Sequence, residues 1–419
     1  MKKIQLPPGL ETECFVLGEE CLHAVAGVLK EYFPGRRPWI VADENTWRVA
    51  GKEIQGYLET AYPPYIYPAE PLLHADYCHV QELAAAMPEG AVPVAVGGGT
   101  VNDLVKRLSG EAGIPYLCVP TAPSVDGFSS SGAAICKEGF KQTMACPAPK
   151  AIVADVKILR EAPADMRAAG YGDLFAKLPA GAEWIMADIL GIESIRQDVW
   201  DLVQPPLRGW LADAEDFDGI FAGLAATGYA MQLYNDSRPA SGMEHLCSHV
   251  WEMEDVPASH GFKVSLGTVV SMFLWEKFIG LSLEELRGLM TPPKSRAQKE
   301  QEVDELLKKG VYGDCKKVAM AKFMEEEALL ARRELFCKHW DTICRRVKAH
   351  LIPADEARIM LRNAGCPTTP AEIGLAPGQF IHGVRTAQLI RKRYTLLDAL
   401  EECGIMEFML EKLAAEFGE

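Results

Sequence analysis

The sequence lacks several features that would place it in a common functional class. No Cys-x-x-Cys pair occurs among its 12 cysteines, which excludes zinc-ribbon and thioredoxin-like sites and is typical of reduced cytosolic thiols. No stretch of about 18 apolar residues is present, so we expect no membrane span. The net charge of −15 leaves no basic excess for binding a nucleic acid. The N-terminus has no apolar signal-peptide core, and we therefore expect a cytoplasmic protein.

The chain has the composition of a globular protein and the length of two domains. Hydrophobic residues make up 48% and charged residues 24% of the sequence. The length of 419 residues is greater than that of one ordinary domain. Apolar runs bounded by glycine or proline predict buried parallel strands at 38–43, 92–96, 116–119 and 151–159. Helical periodicity dominates after residue 160. The pattern predicts a Rossmann-like α/β domain over residues 1–160 and a mainly α-helical domain over 161–419.

A glycine-rich turn follows the second predicted strand. Gly97-Gly98-Gly99-Thr100 leads into a helix, and such a turn suits a pyrophosphate because its backbone comes close to the ligand and the helix N-terminus attracts anions. The turn is neither Gly-x-Gly-x-x-Gly nor a Walker P-loop, so a tight turn without a ligand is the alternative. Asp43 ends the first strand, where it either binds the adenine ribose, which favours NAD, or caps the next helix.

A second turn, residues 120–132, is rich in hydroxyl groups and follows the third predicted strand. Loops at the carboxyl ends of parallel strands commonly bind ligands. Asp126 either stabilises an Asx-turn or accepts a hydrogen bond from a substrate hydroxyl. The density of serine and threonine favours a functional loop.

Three of the nine histidines fall within 16 residues. His245 and His249 are four residues apart and share one helical face, and His260 follows beside a glycine. Imidazole together with a carboxylate suits zinc, iron or nickel, and one Asp with two His leaves coordination positions open for catalysis. Asp173 is a candidate carboxylate, although an acid after glycine is also a common helix N-cap.

Taken in order, these segments resemble the motifs of the bacterial-type sn-glycerol-1-phosphate dehydrogenases. That family belongs with glycerol dehydrogenase, iron-containing alcohol dehydrogenases and dehydroquinate synthase. The similarity extends from about residue 38 to about residue 270, and its most specific part is Pro-Thr-Ala-Pro-Ser-Val-Asp-Gly at 120–127. The other matching segments are 97–100, 172–177, 237–249 and 260–261.

The resemblance implies a metal-dependent dehydrogenase that interconverts dihydroxyacetone phosphate and sn-glycerol 1-phosphate with NAD(H) or NADP(H). It implies that Asp173, His245 and His260 bind one divalent ion, with Asp173 also beside the substrate. It assigns His249 and Asp126 to the substrate as catalytic residues. The cofactor would be held by Gly97, Gly98, Gly99, Thr100, Val101, Thr121, Ala122, Pro123, Ser124 and Ser130. Relatives are commonly dimers or larger, so we expect a homo-oligomer.

Other assignments remain open. Lys177 and Arg238 are candidates for binding the substrate phosphate, with an exposed helix-end arginine as the alternative for Arg238. The family pattern continues past this lysine with Asp-Trp, whereas here residues 178–183 intervene and end in Glu183. Pro179 and Gly181 in this stretch disfavour a helix. The alternative functions are a glycerol or polyol dehydrogenase, a dehydroquinate-synthase-like lyase, and a non-catalytic relative.

Overall fold

The structure is a computed structural model that describes residues 2–137, 140–308 and 310–418. It forms two compact units, and each is built from two segments of the chain. The first unit comprises Met1–Leu174 and Asp201–Ser237, and the second comprises Phe175–Trp200 and Arg238–Glu419. Residue 160, where the sequence pattern predicts a domain boundary, lies within the first segment of the first unit.

A seven-stranded sheet forms the centre of the first unit. Its order is β1-β2-β9-β6-β5-β3-β4, in which β1 is antiparallel to β2 and the other neighbours are parallel. A separate antiparallel pair is formed by β7 and β8. The strands are β1 Lys2–Lys3, β2 Cys14–Gly18, β3 Arg37–Asp43, β4 Tyr65–Tyr67, β5 Ala91–Gly97, β6 Leu117–Pro120, β7 Ala133–Lys137, β8 Phe140–Met144 and β9 Ala151–Asp155.

Helices make up most of the remaining described chain. Short 3-10 helices lie at Asp126–Phe128 and Pro370–Ile373, and a π-helical turn lies at Trp47–Gly51. The α-helices are α1 Ala24–Tyr32, α2 Glu44–Thr46, α3 Lys52–Tyr57, α4 Tyr77–Ala86, α5 Gly99–Ala112, α6 Val156–Glu161, α7 Ala164–Phe175, α8 Lys177–Ile189, α9 Gln197–Leu211, α10 Phe217–Tyr234, α11 Met243–Met253, α12 His260–Ile279, α13 Leu283–Leu289, α14 Arg296–Leu306, α15 Cys315–Ala321, α16 Glu326–His350, α17 Ala354–Asn363, α18 Pro377–Ala387, α19 Leu396–Glu402 and α20 Met406–Phe417.

The predicted parallel strands form the middle of this sheet. The runs at 38–43, 92–96 and 116–119 are confirmed as β3, β5 and β6, and every residue of β5 is buried. The fourth strand was predicted to reach residue 159 but ends at Asp155. The Asp155 carboxylate accepts hydrogen bonds from the backbone of Lys157, at 3.1 Å, and of Cys21, at 2.6 Å. It thereby caps α6, which takes up the rest of the predicted strand.

In the second unit, residues 178–183 are helical, so the prediction that Pro179 and Gly181 would disfavour a helix is wrong. Pro179 is the third residue of α8. Amide groups in the first turn of a helix have no partner within the helix, so proline loses no hydrogen bond there. The segment from Lys177 to Ala187 is buried throughout.

The described residues contain no single helix that is long and apolar enough to cross a membrane. Among the described residues, α12 and α13 taken together reach the length and apolar composition of a membrane span, but the two helices are bent by 106° where they join.

Gly170 provides a test of the packing in the first unit. A Cβ atom at this position of α7 would lie 1.5 Å from the carbonyl oxygen of Pro123, which is backbone and cannot rotate away. We expect Gly170→Ala to lower the free energy of unfolding by about 1–3 kcal/mol, measured as a fall in Tm. The matched control is Gly209→Ala in α9, where no heavy atom lies within 4 Å. Alanine favours a helix, so this variant should gain about 0.5–1 kcal/mol. An unchanged Tm in Gly170→Ala would contradict the close packing.

Candidate cofactor and metal sites

The glycine turn and the hydroxyl-rich loop lie side by side at one edge of the sheet. They follow β5 and β6, which are adjacent parallel strands with Gly97 opposite Pro120. The backbone N–H of Thr121 donates to the carbonyl of Gly97 at 3.1 Å. The carboxyl ends of parallel strands meet at the same edge, so this placement was expected from the sequence.

The glycine turn has the local geometry of an anion site. A Cβ at Gly97 would lie 2.6 Å from the Cβ of Val101, so glycine is required for the turn. At Gly98, the N-cap of α5, a Cβ would meet no heavy atom within 4 Å, so the space above this residue is open. The first turn of α5 contains Thr100 and Val101. Its amide groups and positive helix end fit a phosphate, which supports the dinucleotide interpretation.

Lys106 fixes the hydroxyl-rich loop, a role that the sequence analysis missed. Its Nζ is fully buried and donates to the carbonyl oxygens of Gly127, at 2.5 Å, and Gly132, at 3.0 Å. Burial lowers the pKa of Lys106. A signal was present in the sequence: Asn102, Lys106 and Ser109 have helical spacing, and all three are buried. Two members of this stripe make hydrogen bonds: Lys106, as described above, and Asn102, whose Oδ1 accepts from the hydroxyl of Tyr116 at 3.2 Å.

The same loop is also held by α10 and by its own side chains. The Ser129 hydroxyl donates to the carbonyl of Ala225 at 2.9 Å, and the side-chain amide of Gln232 donates to the carbonyl of Ser129 at 2.6 Å. Ser130 is buried, and its hydroxyl donates to the carbonyl of Gly127 at 3.3 Å. The predicted cofactor loop is thus a rigid part of the first unit.

Asp126 and Asp173 are brought together by a hydrogen bond. The backbone N–H of Asp126 donates to Oδ2 of Asp173 at 2.8 Å. Asp173 is buried and lies near the end of α7, so the alternative that it caps the start of a helix is wrong. The amide occupies one oxygen of this carboxylate and fixes the orientation of the group.

Asp43 is a helix cap, which confirms one of its two interpretations. Its Oδ1 accepts hydrogen bonds from the backbone N–H groups of Asn45 and Thr46, both at 2.8 Å. In return, the backbone N–H of Asp43 donates to the hydroxyl of Thr46 at 3.1 Å. Ribose binding by this residue stays a prediction.

The three histidines come together in the second unit, where α11 carries His245 and His249 and α12 begins at His260. The ring of His260 lies 5.6 Å from the ring of His245 and 5.9 Å from that of His249. Gly267 of α12 makes this approach possible, because a Cβ there would lie 2.4 Å from the carbonyl oxygen of Glu244. Metal binding by His245 and His260 stays a prediction.

Carboxylates of α11 contact all three imidazoles. Nδ1 of His245 lies 2.9 Å from Glu244, and Nδ1 of His260 lies 2.8 Å from Glu252. Nδ1 of His249 lies 3.4 Å from the other oxygen of Glu252. Burial and the neighbouring imidazoles lower the pKa of His249 to about 4, against the effect of Glu252, so this ring is neutral at pH 7. Neither glutamate was singled out from the sequence.

A group of potential metal ligands occurs among the described residues of the second unit and consists of His249, Glu252 and His260. The set that the sequence analysis expects, Asp173 with His245 and His260, stays a prediction. Two imidazoles and one carboxylate are a donor set that fits zinc, nickel or iron.

The remaining candidates are buried in the second unit. Lys177 is fully buried at the start of α8. Arg238 is 1% exposed, and its Nη1 donates to the carbonyl of Tyr394 at 2.7 Å while its Nε lies 3.4 Å from Glu193. The alternative of an exposed helix-end arginine is therefore wrong. A phosphate contact by either residue stays a prediction.

Comparison with known proteins identifies the family. The model of the iron-containing alcohol dehydrogenase family matches residues 16–163. Glycerol-1-phosphate dehydrogenase [NAD(P)+] of Bacillus licheniformis is 32% identical over 292 residues, which cover 65% of this chain and 73% of the relative. The enzyme of the same name from Geobacillus thermodenitrificans is 28% identical, with 95% and 94% covered. The chain belongs to the glycerol-1-phosphate dehydrogenase family.

The fold agrees with this membership of the glycerol-1-phosphate dehydrogenase family. A crystal structure of a probable glycerol dehydrogenase from Sinorhizobium meliloti superimposes with a TM-score of 0.57 at 14% identity, covering 95% of this chain and 97% of that one. This likeness concerns the fold alone. It confirms the predicted combination of a parallel α/β sheet and a mainly helical C-terminal region, as in dehydroquinate synthase-like proteins.

Glu183, where this chain departs from the family pattern, is a buried acid of α8. It accepts hydrogen bonds from the backbone N–H groups of Met243, at 3.2 Å, and Leu396, at 3.0 Å. Burial, and next the charge of Glu244, raise the pKa of Glu183 well above its usual range. The acid therefore joins α8 to two other segments of the second unit.

This raised pKa predicts how stability depends on pH. Folded protein keeps the Glu183 proton to higher pH than the unfolded chain does, so the stabilisation is full below the ordinary carboxyl range and is lost as the pH rises through the raised pKa. We expect Tm of metal-free protein to fall from about pH 5 to about pH 9, and to fall less in Glu183→Gln, which does not titrate. Glu411→Gln, an exposed change in α20, is the control and should follow the wild type. Identical profiles for Glu183→Gln and wild type would refute this account.

Proposed function

We propose that the protein interconverts dihydroxyacetone phosphate and sn-glycerol 1-phosphate, using NAD(H) or NADP(H) and one divalent metal ion. The observation that carries the proposal is the hydrogen bond from the amide of Asp126 to Asp173. It joins the loop that most specifically resembles the family to the proposed metal-binding carboxylate. The names of the relatives support the same reaction.

The metal would be held by the carboxylate of Asp173 and the imidazoles of His245 and His260. When bound, a divalent ion acts as a Lewis acid on the ketone oxygen of the substrate. The three protein ligands leave coordination positions for substrate or water. Zinc, nickel and iron all suit this donor set.

The dinucleotide would bind at the sheet edge of the first unit. The open space at Gly98 and the start of α5 suit the pyrophosphate, and Asp43 would accept hydrogen bonds from the ribose. The hydride comes from the nicotinamide, and the protein supplies its orientation. The backbone and side chains proposed to hold the cofactor are those of Gly97, Gly98, Gly99, Thr100, Val101, Thr121, Ala122, Pro123, Ser124 and Ser130.

The substrate would be oriented by His249 and Asp126 and its phosphate by Lys177 and Arg238. Because the pKa of His249 is lowered to about 4, its neutral ring orients the substrate by a hydrogen bond and holds no proton to give at pH 7. Water is then the source of the proton that reaches the product oxygen. Lys177, which is buried at the start of α8, would donate hydrogen bonds to the phosphate.

We place the enzyme in the cytoplasm as a homo-oligomer, a dimer or larger. The 12 cysteines, scattered along the sequence without a Cys-x-x-Cys pair, support a reducing compartment. Light scattering coupled to gel filtration measures the oligomeric state, and a monomer at micromolar concentration would refute that part of the proposal.

An assay of the purified protein tests the reaction. It should oxidise NADH or NADPH in the presence of dihydroxyacetone phosphate, and chelation followed by metal addition should abolish and restore the rate. We expect Asp173→Asn and His245→Ala to lose about 100-fold or more in kcat/KM, because each removes a ligand. Asp165→Asn, an exposed change in the same helix as Asp173, should retain activity.

Two outcomes would contradict the proposal. Full activity in Asp173→Asn would refute the metal assignment. Faster turnover of glycerol or another unphosphorylated polyol than of the phosphorylated substrate would favour the polyol dehydrogenase alternative.

A further inference from the structure

In each of the two proposed histidine ligands, Nδ1 contacts the carboxylate of a glutamate of α11. Nδ1 of His245 lies 2.9 Å from Oε1 of Glu244, and Nδ1 of His260 lies 2.8 Å from Oε1 of Glu252. A carboxylate only accepts hydrogen bonds, so the proton of each neutral ring lies on Nδ1. Nε2 of each ring then keeps its lone pair, which is the form that binds a metal ion.

Glu244 is fully buried, and local packing alone does not explain its position. Its Oε1 also accepts the backbone N–H of Gly242 at 2.5 Å, whereas its Oε2 has no hydrogen-bond partner among the described residues. A Cβ at Gly242 would lie 2.8 Å from Glu244 and 2.5 Å from Glu183, so two buried acids flank this glycine. Buried carboxylates cost free energy unless positive charge offsets them. A cation on His245 would supply such charge.

Glu252 differs because it faces two rings. Its second oxygen lies 3.4 Å from Nδ1 of His249, so one carboxylate orients a proposed ligand and the proposed substrate-binding histidine together. The ligand atoms of His249, Glu252 and His260 lie within 4.8 Å of one another, which makes direct metal binding by Glu252 the competing interpretation. The 2.8 Å contact with His260 favours an orienting role, since it leaves Nε2 of that ring for the ion.

We propose that Glu244 and Glu252 are positioning residues that hold His245 and His260 in the tautomer and orientation that bind the metal ion. The proposal rests on the assignment of Asp173, His245 and His260 as ligands. It adds that α11 contributes both a ligand and the acceptors behind two ligands. Removing such outer carboxylates from a metal site commonly costs tenfold to a hundredfold in affinity.

The experiment measures metal affinity, not turnover. Zinc is titrated into metal-free protein against a chromophoric chelator, with Glu244→Gln and Glu252→Gln beside the wild type. We expect Kd to rise about 10–100-fold in each variant, because glutamine keeps the shape and loses the charge. Circular dichroism of the metal-free variants checks that they fold. Glu183→Gln is the matched control, since this equally buried acid accepts hydrogen bonds from the backbone N–H groups of Met243 and Leu396, and we expect its Kd to change less than about threefold.

Cobalt spectra separate positioning from direct ligation. Because the ligand set is unchanged in a positioning variant, the visible bands of the Co²⁺ protein should keep their energies and intensities once saturated. A spectrum altered in Glu252→Gln as strongly as in His260→Ala would show that Glu252 is a ligand and would overturn its positioning role. An equal loss of affinity in Glu183→Gln would show that replacing any buried acid of this unit weakens metal binding, and it would overturn the proposal.

The same titration distinguishes this inference from the function on which it rests. If Asp173→Asn loses the metal while both glutamine variants bind it like the wild type, only the positioning role fails. If Asp173→Asn binds zinc like the wild type, the ligand assignment itself fails. A wild-type protein without a tight site would overturn both.

Discussion

The arrangement of histidines depends on the close approach of α11 and α12 at Gly267. Any side chain there would overlap the backbone of Glu244, so only glycine lets the two helices come near enough for His260 to meet His245 and His249. A second glycine, Gly383 of α18, lets that helix approach α11, because a Cβ there would lie 2.2 Å from Nε1 of the Trp251 side chain. One contact of backbone with backbone and one of backbone with a buried indole therefore fix the position of α11.

Polar groups in both units are buried where ligands are proposed to bind. In the first unit, Nζ of Lys106 donates hydrogen bonds to the carbonyl oxygens of Gly127 and Gly132. In the second, Glu183 and Glu244 lie out of contact with solvent on either side of Gly242. Burial of such groups lowers stability unless each has its partners.

The sequence predicted what depends on periodicity and on local motifs. The strands β3, β5 and β6 were predicted because unbroken apolar runs end at glycine, proline or aspartate. Strand β2, a run of five residues that follows two glutamates, was not among the predicted strands. The buried roles of Lys106 and Arg238 were missed because charged side chains are normally exposed. The contact of Glu252 with Nδ1 of His260 depends on the angle between α11 and α12, which spacing along the chain does not encode, whereas Glu244 is the sequence neighbour of His245.

Each unit is assembled from two stretches of chain, and this has a consequence for synthesis on the ribosome. The first unit needs Asp201–Ser237, so its packing cannot be completed until more than half of the 419 residues have been made. The stretch Phe175–Trp200 belongs to the second unit, whose other segment begins at Arg238. This stretch therefore leaves the ribosome before the residues against which it packs have been synthesised. During that interval the apolar surface of α8 has nothing from its own unit to cover it, which makes it a natural point of contact for a chaperone.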